Sequence, residues 1–243
     1  MMTEEVYMMS EKQVIKGSQR YATAALLTLC GGFLDAYTYF SRGGVFANAQ
    51  TGNMIKLGIS AATGDYSACI RYLIPIISFI LGILLVRIID SEMTKRKIRY
   101  IRRTVILTEA AVLLTVMLIP QKEELNIIAN TLVSFFCAMQ MEAFKSFGGE
   151  VLATVVNTGN LRKAVEYMYE GIKEKDSRHL MTSLRYLVIT ILFITGVFTG
   201  TRLTMRFGVH AMLFPVILLL AVFVIITVSY RQIIAKEKEQ ALN

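Results

Sequence analysis

Residues 43–62 read GGVFANAQTGNMIKLGISAA, and residues 148–171 read GGEVLATVVNTGNLRKAVEYMYEG. Both hold a glycine pair followed by Thr-Gly-Asn: Gly43, Gly44, Thr51, Gly52 and Asn53 in the first, Gly148, Gly149, Thr158, Gly159 and Asn160 in the second. A second matched string follows each. Arg71-Tyr72-Leu73-Ile74, with Phe79, Ile80 and Gly82, corresponds to Arg185-Tyr186-Leu187-Val188, with Phe193, Ile194 and Gly196. The strings keep their order while the spacing between them lengthens, the signature of an internal duplication.

The chain around these segments is apolar. Of its 243 residues 54% are hydrophobic and 18% charged, where a soluble domain has about a quarter charged. Long uncharged runs carry the surplus, which predicts an all-α polytopic membrane protein and excludes a secreted disulfide scaffold or a disordered chain. The net charge of +8 does not point to nucleic acid, because the basic residues lie between apolar runs rather than interleaved with stacking aromatics. Cys30, Cys69 and Cys137 have no CxxC spacing and read as core residues, and His179 and His210 have no partners at metal-ligand spacing. No cofactor and no metal is expected.

Six stretches are long enough to cross a hydrocarbon core: 21–40, 72–89, 104–120, 125–147, 186–203 and 211–230. The two Thr-Gly-Asn segments lie between them. Their polar middles could not face lipid, so each is either a helix shielded by the bundle or a re-entrant segment covered by protein or water. If they turn back, each half has three crossings and the halves are inverted. If they cross, each half has four and the halves are parallel.

Charge separates these architectures, since Lys and Arg concentrate on the cytoplasmic side. With the basic loop 91–103 inside, six crossings place 20 of the 26 basic residues inside, and eight crossings place only 11 there. The expectation is therefore an inverted three-plus-three arrangement: a cytoplasmic N-terminal segment (1–20), a first membrane repeat (21–120), a second repeat (121–230) and a cytoplasmic C-terminal tail (231–243). Residues 151–156 are rich in β-branched side chains and suit an extended approach, with Asn157 or Thr158 capping a helix from about Leu161. On this geometry two helix N-termini meet at mid-bilayer, and their unpaired N–H groups favour an anion or a polar solute with acceptor oxygens. The substrate-binding candidates are Asn48, Thr51, Gly52, Asn53, Asn157, Thr158, Gly159 and Asn160. A plainer reading also stands, in which glycine and threonine only permit close helix packing.

Ionisable groups inside crossings are costly and are functional candidates by default. Asp35 and its counterpart Gln140, with Glu142 close by, are candidates for coupling or gating; Asp35 could instead pair with Arg71 or Arg42 or bond to the Thr-Gly-Asn turn. Arg71 and Arg185 open equivalent helices and are candidates for attracting an anion. Glu109 and Arg87 read as a salt bridge near the inner ends of neighbouring helices, and Pro75 and Pro215 as first-turn prolines.

Gly32-Phe33-Leu34-Asp35-Ala36, Gly43-Gly44-Val45-Phe46, Asn48, Thr51-Gly52-Asn53, Ala138-Met139-Gln140 and Thr158-Gly159 together resemble the YoaK family of bacterial inner-membrane proteins. The likeness covers nearly the whole chain. Where that family would have Asn after Met-Gln, this chain has Met141 and Glu142. The resemblance implies a multi-pass inner-membrane protein and supplies no substrate. The leading functional expectation is a transporter or channel-like protein for a small polar or anionic solute, sited between the two repeats. A non-transporting scaffold or partner-binding protein is the alternative. No enzyme chemistry is visible, as no nucleophile–base pair or phosphate loop occurs. The expected partners are the lipid bilayer and a small solute, and a homodimer would give the buried polar segments lateral cover.

Overall fold

The computed structural model describes residues 17–95, 101–145 and 157–242. The described residues form α1 (Gly17–Ser41), α2 (Gln50–Thr63), α3 (Tyr66–Lys95), α4 (Ile101–Leu118), α5 (Glu123–Ala143), α6 (Asn157–Glu174), α7 (Ser177–Phe207), a 3-10 turn (Gly208–Met212) and α8 (Leu213–Leu242), with no strand among them. The glycine pair Gly148-Gly149 and the extended reading of 151–156 lie outside the described residues. Two helical stretches, Tyr66–Glu92 and Ser177–Gln232, are apolar and long enough to cross a membrane. The second includes the 3-10 turn.

Two close helix crossings organise the bundle, and both depend on a missing side chain. A Cβ at Gly196 of α7 would strike the carbonyl of Leu29 on α1, and one at Gly32 would strike that of Phe193. A Cβ at Gly82 of α3 would strike the carbonyl of Phe135 on α5. The paired helices run parallel. Arg185 donates to the Tyr21 hydroxyl at the start of α1 (2.6 Å) and Gly200 packs on Phe33 farther along. Likewise Arg71 meets Glu123 (2.5 Å), Ser78 donates to the Thr131 carbonyl (2.8 Å) and Arg87 meets Glu142 (3.1 Å), in one order along α3 and α5. Each half therefore lends one long helix to the other. Small residues at such crossings let backbones approach closely.

The chain between α1 and α2 doubles back. Gly43 and Gly44 take positive φ (82° and 73°), which frees the chain to reverse at the end of α1. It then descends alongside α1 until Asn48 Nδ2 donates to the Gly31 carbonyl (3.2 Å), ten residues or about 15 Å below Ser41. Helix α2 climbs again. Lys56, two turns into α2, donates to the Gly44 carbonyl (2.6 Å) and lies 4.2 Å from the centre of the Tyr39 ring and 5.5 Å from that of Tyr72. Gly64 closes α2 in the left-handed conformation, and the Asp65 carboxylate accepts from Ala68 N (3.0 Å) as α3 begins.

Helix α6 packs antiparallel on α7 at the opposite end of the bundle. The Ser183 hydroxyl donates to the Ala164 carbonyl (2.6 Å), Tyr167 stacks on Tyr186 (5.8 Å), and Gly171 abuts Leu180. Lys163 sits over the Tyr186 ring (5.6 Å) as Lys56 sits over Tyr72, so residues matched in sequence make matched contacts. The turn after α2 and the turn after α6 lie at opposite ends. The first adjoins Arg71–Glu123 and the second adjoins Arg185–Tyr21.

Three details differ from the sequence reading. Pro75 lies inside α3 rather than in its first turn, because α3 starts at Tyr66. Helix α8 continues through most of the expected tail, to Leu242. The N-terminal turns of α2 and α6 lie at different levels: helix register places Asn160 about 12 Å from the level of Asn48 along α1.

Candidate functional site

Fully buried Arg42 closes the end of the bundle where α1 and α4 finish. Its guanidinium donates to the carbonyls of Val116 (3.0 Å), Ile119 (2.8 Å) and Pro120 (3.0 Å) and to the Tyr37 hydroxyl (3.0 Å). The last carbonyls of a helix have no partner within it and carry partial negative charge, so a forked cation is a fitting cap. Asn130 Nδ2 of α5 donates back to the Arg42 carbonyl (2.8 Å), tying α1, α4 and α5 together. The sequence reading offered Arg42 only as an alternative partner for Asp35. No periodicity marks a loop arginine as buried, because the receiving carbonyls come from a helix end some 75 residues away.

Below this plug lies a polar junction. Asp35 is 3% exposed, and its Oδ1 accepts the backbone N–H of Asn48 (2.6 Å) and of Ala49 (3.3 Å) just before α2. Of the readings offered for Asp35, this is the bond to the Thr-Gly-Asn turn; neither Arg71 nor Arg42 reaches it. The Asn48 side chain contacts the thiol of Cys137 on α5, near Asp35 and Cys30. One turn further, Gln140 Nε2 donates to Glu109 Oε2 of α4 (2.8 Å), and the Cys137 thiol lies 3.9 Å from Glu109 Oε1. Glu109 is wholly buried. The expected Glu109–Arg87 bridge does not form; Arg87 pairs with Glu142, which also binds Lys145 (2.7 Å). Two carboxyl groups on different helices are thus buried, and among the described residues neither has a cationic partner.

Asn53 is fully buried and internally engaged. Its Oδ1 accepts from Phe46 N (2.9 Å), and its Nδ2 donates to the Phe46 carbonyl and to Gln50 Oε1 (2.8 Å each). It clamps the descending strand of chain to α2. Gly52 faces the Phe46 ring, where a Cβ would come within 2.7 Å, and Thr51 is exposed. In the second segment Asn160 is buried, Asn157 half-buried, and Thr158 and Gly159 exposed. The eight substrate-binding candidates therefore do not converge. Asn48 joins Asp35 and Gln140 at the junction, while Glu142 sits in its own ion pair. Arg71 and Arg185 serve Glu123 and Tyr21. Sequence reasoning missed Glu109 as a junction residue, and Gln50, whose Nε2 donates to the Ala47 carbonyl (2.9 Å).

Among the described residues no three His, Cys, Asp or Glu side chains form a metal-holding cluster. The fold and the junction define an all-α protein in which acidic and amide groups of α1, α4 and α5 are buried together. Residues 23–225 match the model of a family described as protein of unknown function (DUF1275), and the chain belongs to that family. No curated protein and no solved structure gives a match.

Proposed function

We propose that this is a multi-pass membrane transporter or channel-like protein whose site is the buried junction of Asp35, Asn48, Cys137, Gln140 and Glu109. One observation carries the reading: polar groups from α1, α4 and α5 are brought together deep in a bundle whose outward faces are apolar. Ile77, Ile80 and Leu84 of α3, and Ile191, Ile194 and Phe198 of α7, are all exposed in the protein alone, as lipid-facing residues would be. Buried ionisable groups at such depth are expensive, and in membrane bundles they mark solute or ion paths.

Six crossings with two hairpins entering from opposite faces fit the opposed turns after α2 and α6 and the sequence bias of basic residues. The YoaK likeness suggests the bacterial inner membrane, and the bias of basic residues suggests that both termini are cytoplasmic. The solute we favour is small and polar, bearing hydrogen-bond donors or positive charge. The alternative of an anion loses its main attraction, because the N–H groups preceding α2 already donate to the Asp35 carboxylate. A scaffold role, the second reading, is favoured by the closure of the junction, where Gln140 is only 2% exposed.

Flux decides between them. Proteoliposomes carrying the wild type should take up small polar solutes or cations, with uptake reduced at least about tenfold in folded Asp35→Asn or Gln140→Leu. Absence of flux for every solute class would leave the scaffold. Reporter fusions after Asp65 and after Lys175 should report opposite compartments, and a common compartment would overturn the six-crossing arrangement.

A further inference from the structure

Helix α7 turns its glycines, Gly196 and Gly200, toward α1 and carries an exposed apolar stripe, Ile191, Ile194 and Phe198, on the opposite face. That stripe ends in basic residues. Arg202 lies four residues beyond Phe198 and Arg206 four beyond Arg202, so all three share one side of the helix. The two arginines, with Leu203 and Met205, line an open cleft of about 340 Å³. Both are exposed, and among the described residues neither guanidinium meets a carboxylate, carbonyl or hydroxyl; Arg206 only lies over the ring of its neighbour Phe207 (5.5 Å). Arg42, Arg71 and Arg185, at the ends of the same bundle, are all engaged. Like charges one turn apart on a helix repel, and in the six-crossing arrangement these two lie on the side that basic residues avoid. An anion held between them removes both costs.

We propose that Arg202 and Arg206 bind the phosphate of an anionic phospholipid whose acyl chain lies along Phe198, Ile194 and Ile191. A guanidinium donates from a planar fork that matches phosphate oxygens. From Ile191 to Arg202 the helix advances eleven residues, about 16 Å, and half of a hydrocarbon core is about 15 Å, so the stripe is as long as one leaflet is deep. A soluble phosphate would use the arginines and leave the stripe idle. A zwitterionic lipid would bring its ammonium group up to two cations, and among the described residues no acid lines the cleft to receive it. The headgroup is therefore of the phosphatidylglycerol class. The site rests on the membrane reading proposed above, but it faces away from the buried junction and is read by binding rather than by flux. A protein without flux can still hold this lipid, and a protein indifferent to the lipid can still carry solute.

The test is native mass spectrometry of the purified full chain in detergent, with added dioleoylphosphatidylglycerol, dioleoylphosphatidylcholine or inorganic phosphate. The expected result is saturable retention of phosphatidylglycerol that inorganic phosphate does not displace, with phosphatidylcholine held about fivefold more weakly or worse. Arg202→Gln combined with Arg206→Gln should weaken phosphatidylglycerol binding about tenfold or more, because two charge-assisted contacts are lost. Arg231→Gln, which removes an exposed arginine at the opposite end of the bundle, should change it by less than about twofold. Should the double variant fail to fold, Arg206→Gln alone carries the test, with a loss of about threefold or more. Equal retention of the two lipids, displacement by inorganic phosphate, unchanged binding in a folded arginine variant, or an equal loss in Arg231→Gln overturns the proposal.

Discussion

The two halves use the same backbone contacts and different polar chemistry. Gly196 on α7 presses on the Leu29 carbonyl, and Gly82 on α3 presses on that of Phe135; Lys163 covers Tyr186 as Lys56 covers Tyr72. At the junction the correspondence fails. Asp35 in α1 holds the chain that enters α2, whereas its counterpart Gln140 in α5 is an amide that binds Glu109 of α4. A backbone-to-backbone crossing accepts no side chain, so glycine recurs in both halves. A polar side chain needs only a partner, and any nearby element can supply one. The difference places one acid on each side of the contact between α1 and α5 and makes the junction asymmetric.

Breaking the shared part of this comparison should cost most. Gly196→Val, like Gly82→Val, forces apart two packed backbones and should lower stability by about 3 kcal/mol or more, leaving little monodisperse protein on size exclusion. Gly58→Val is the control, as nothing lies within 4 Å of a Cβ there. Next is Arg42→Gln, which strips a buried cap from three carbonyls; a loss of about 3 kcal/mol is expected in thermal or denaturant unfolding.

Asn53→Ala sharpens the view that the first hairpin is clamped rather than open to solute. It removes three hydrogen bonds and should cost about 2 kcal/mol, while exposed Thr51→Ala should stay within about 0.5 kcal/mol. The smallest effect belongs to Asp176, which caps α7 by accepting from Arg178 N (2.8 Å). Hydrogen bonds from the Arg178 side chain and backbone hold its carboxyl below the usual carboxylate range. A depressed folded-state value gives stability that is present above the unfolded value and is lost as pH falls through the folded one. Wild type should therefore lose slightly more melting temperature than Asp176→Asn on acidification through the carboxylate range.

Membership of an uncharacterised family and an all-helical build were legible in the chain itself. Thr-Gly-Asn, the Arg-Tyr-Leu strings and Gly82 with Gly196 are local or recurrent patterns, and recurrence survives in sequence because each copy must meet the same steric demand. The amphipathic and apolar runs likewise announced the helices, since periodicity and length are properties of neighbouring residues.

The identity of each polar partner was settled only by folding. Glu109 lay beside Arg87 on a simple reading of depth, yet Gln140 and Cys137 reach it because α5 lies along α4. Arg42 was offered as a partner for Asp35, and its carbonyl partners come instead from another helix end. Asn53 suggested a ligand contact until Phe46 was seen to take both ends of its amide. Side-chain hydrogen bonds are short and directional, so they depend on the rotation and register of packed helices, quantities that spacing along one chain does not encode.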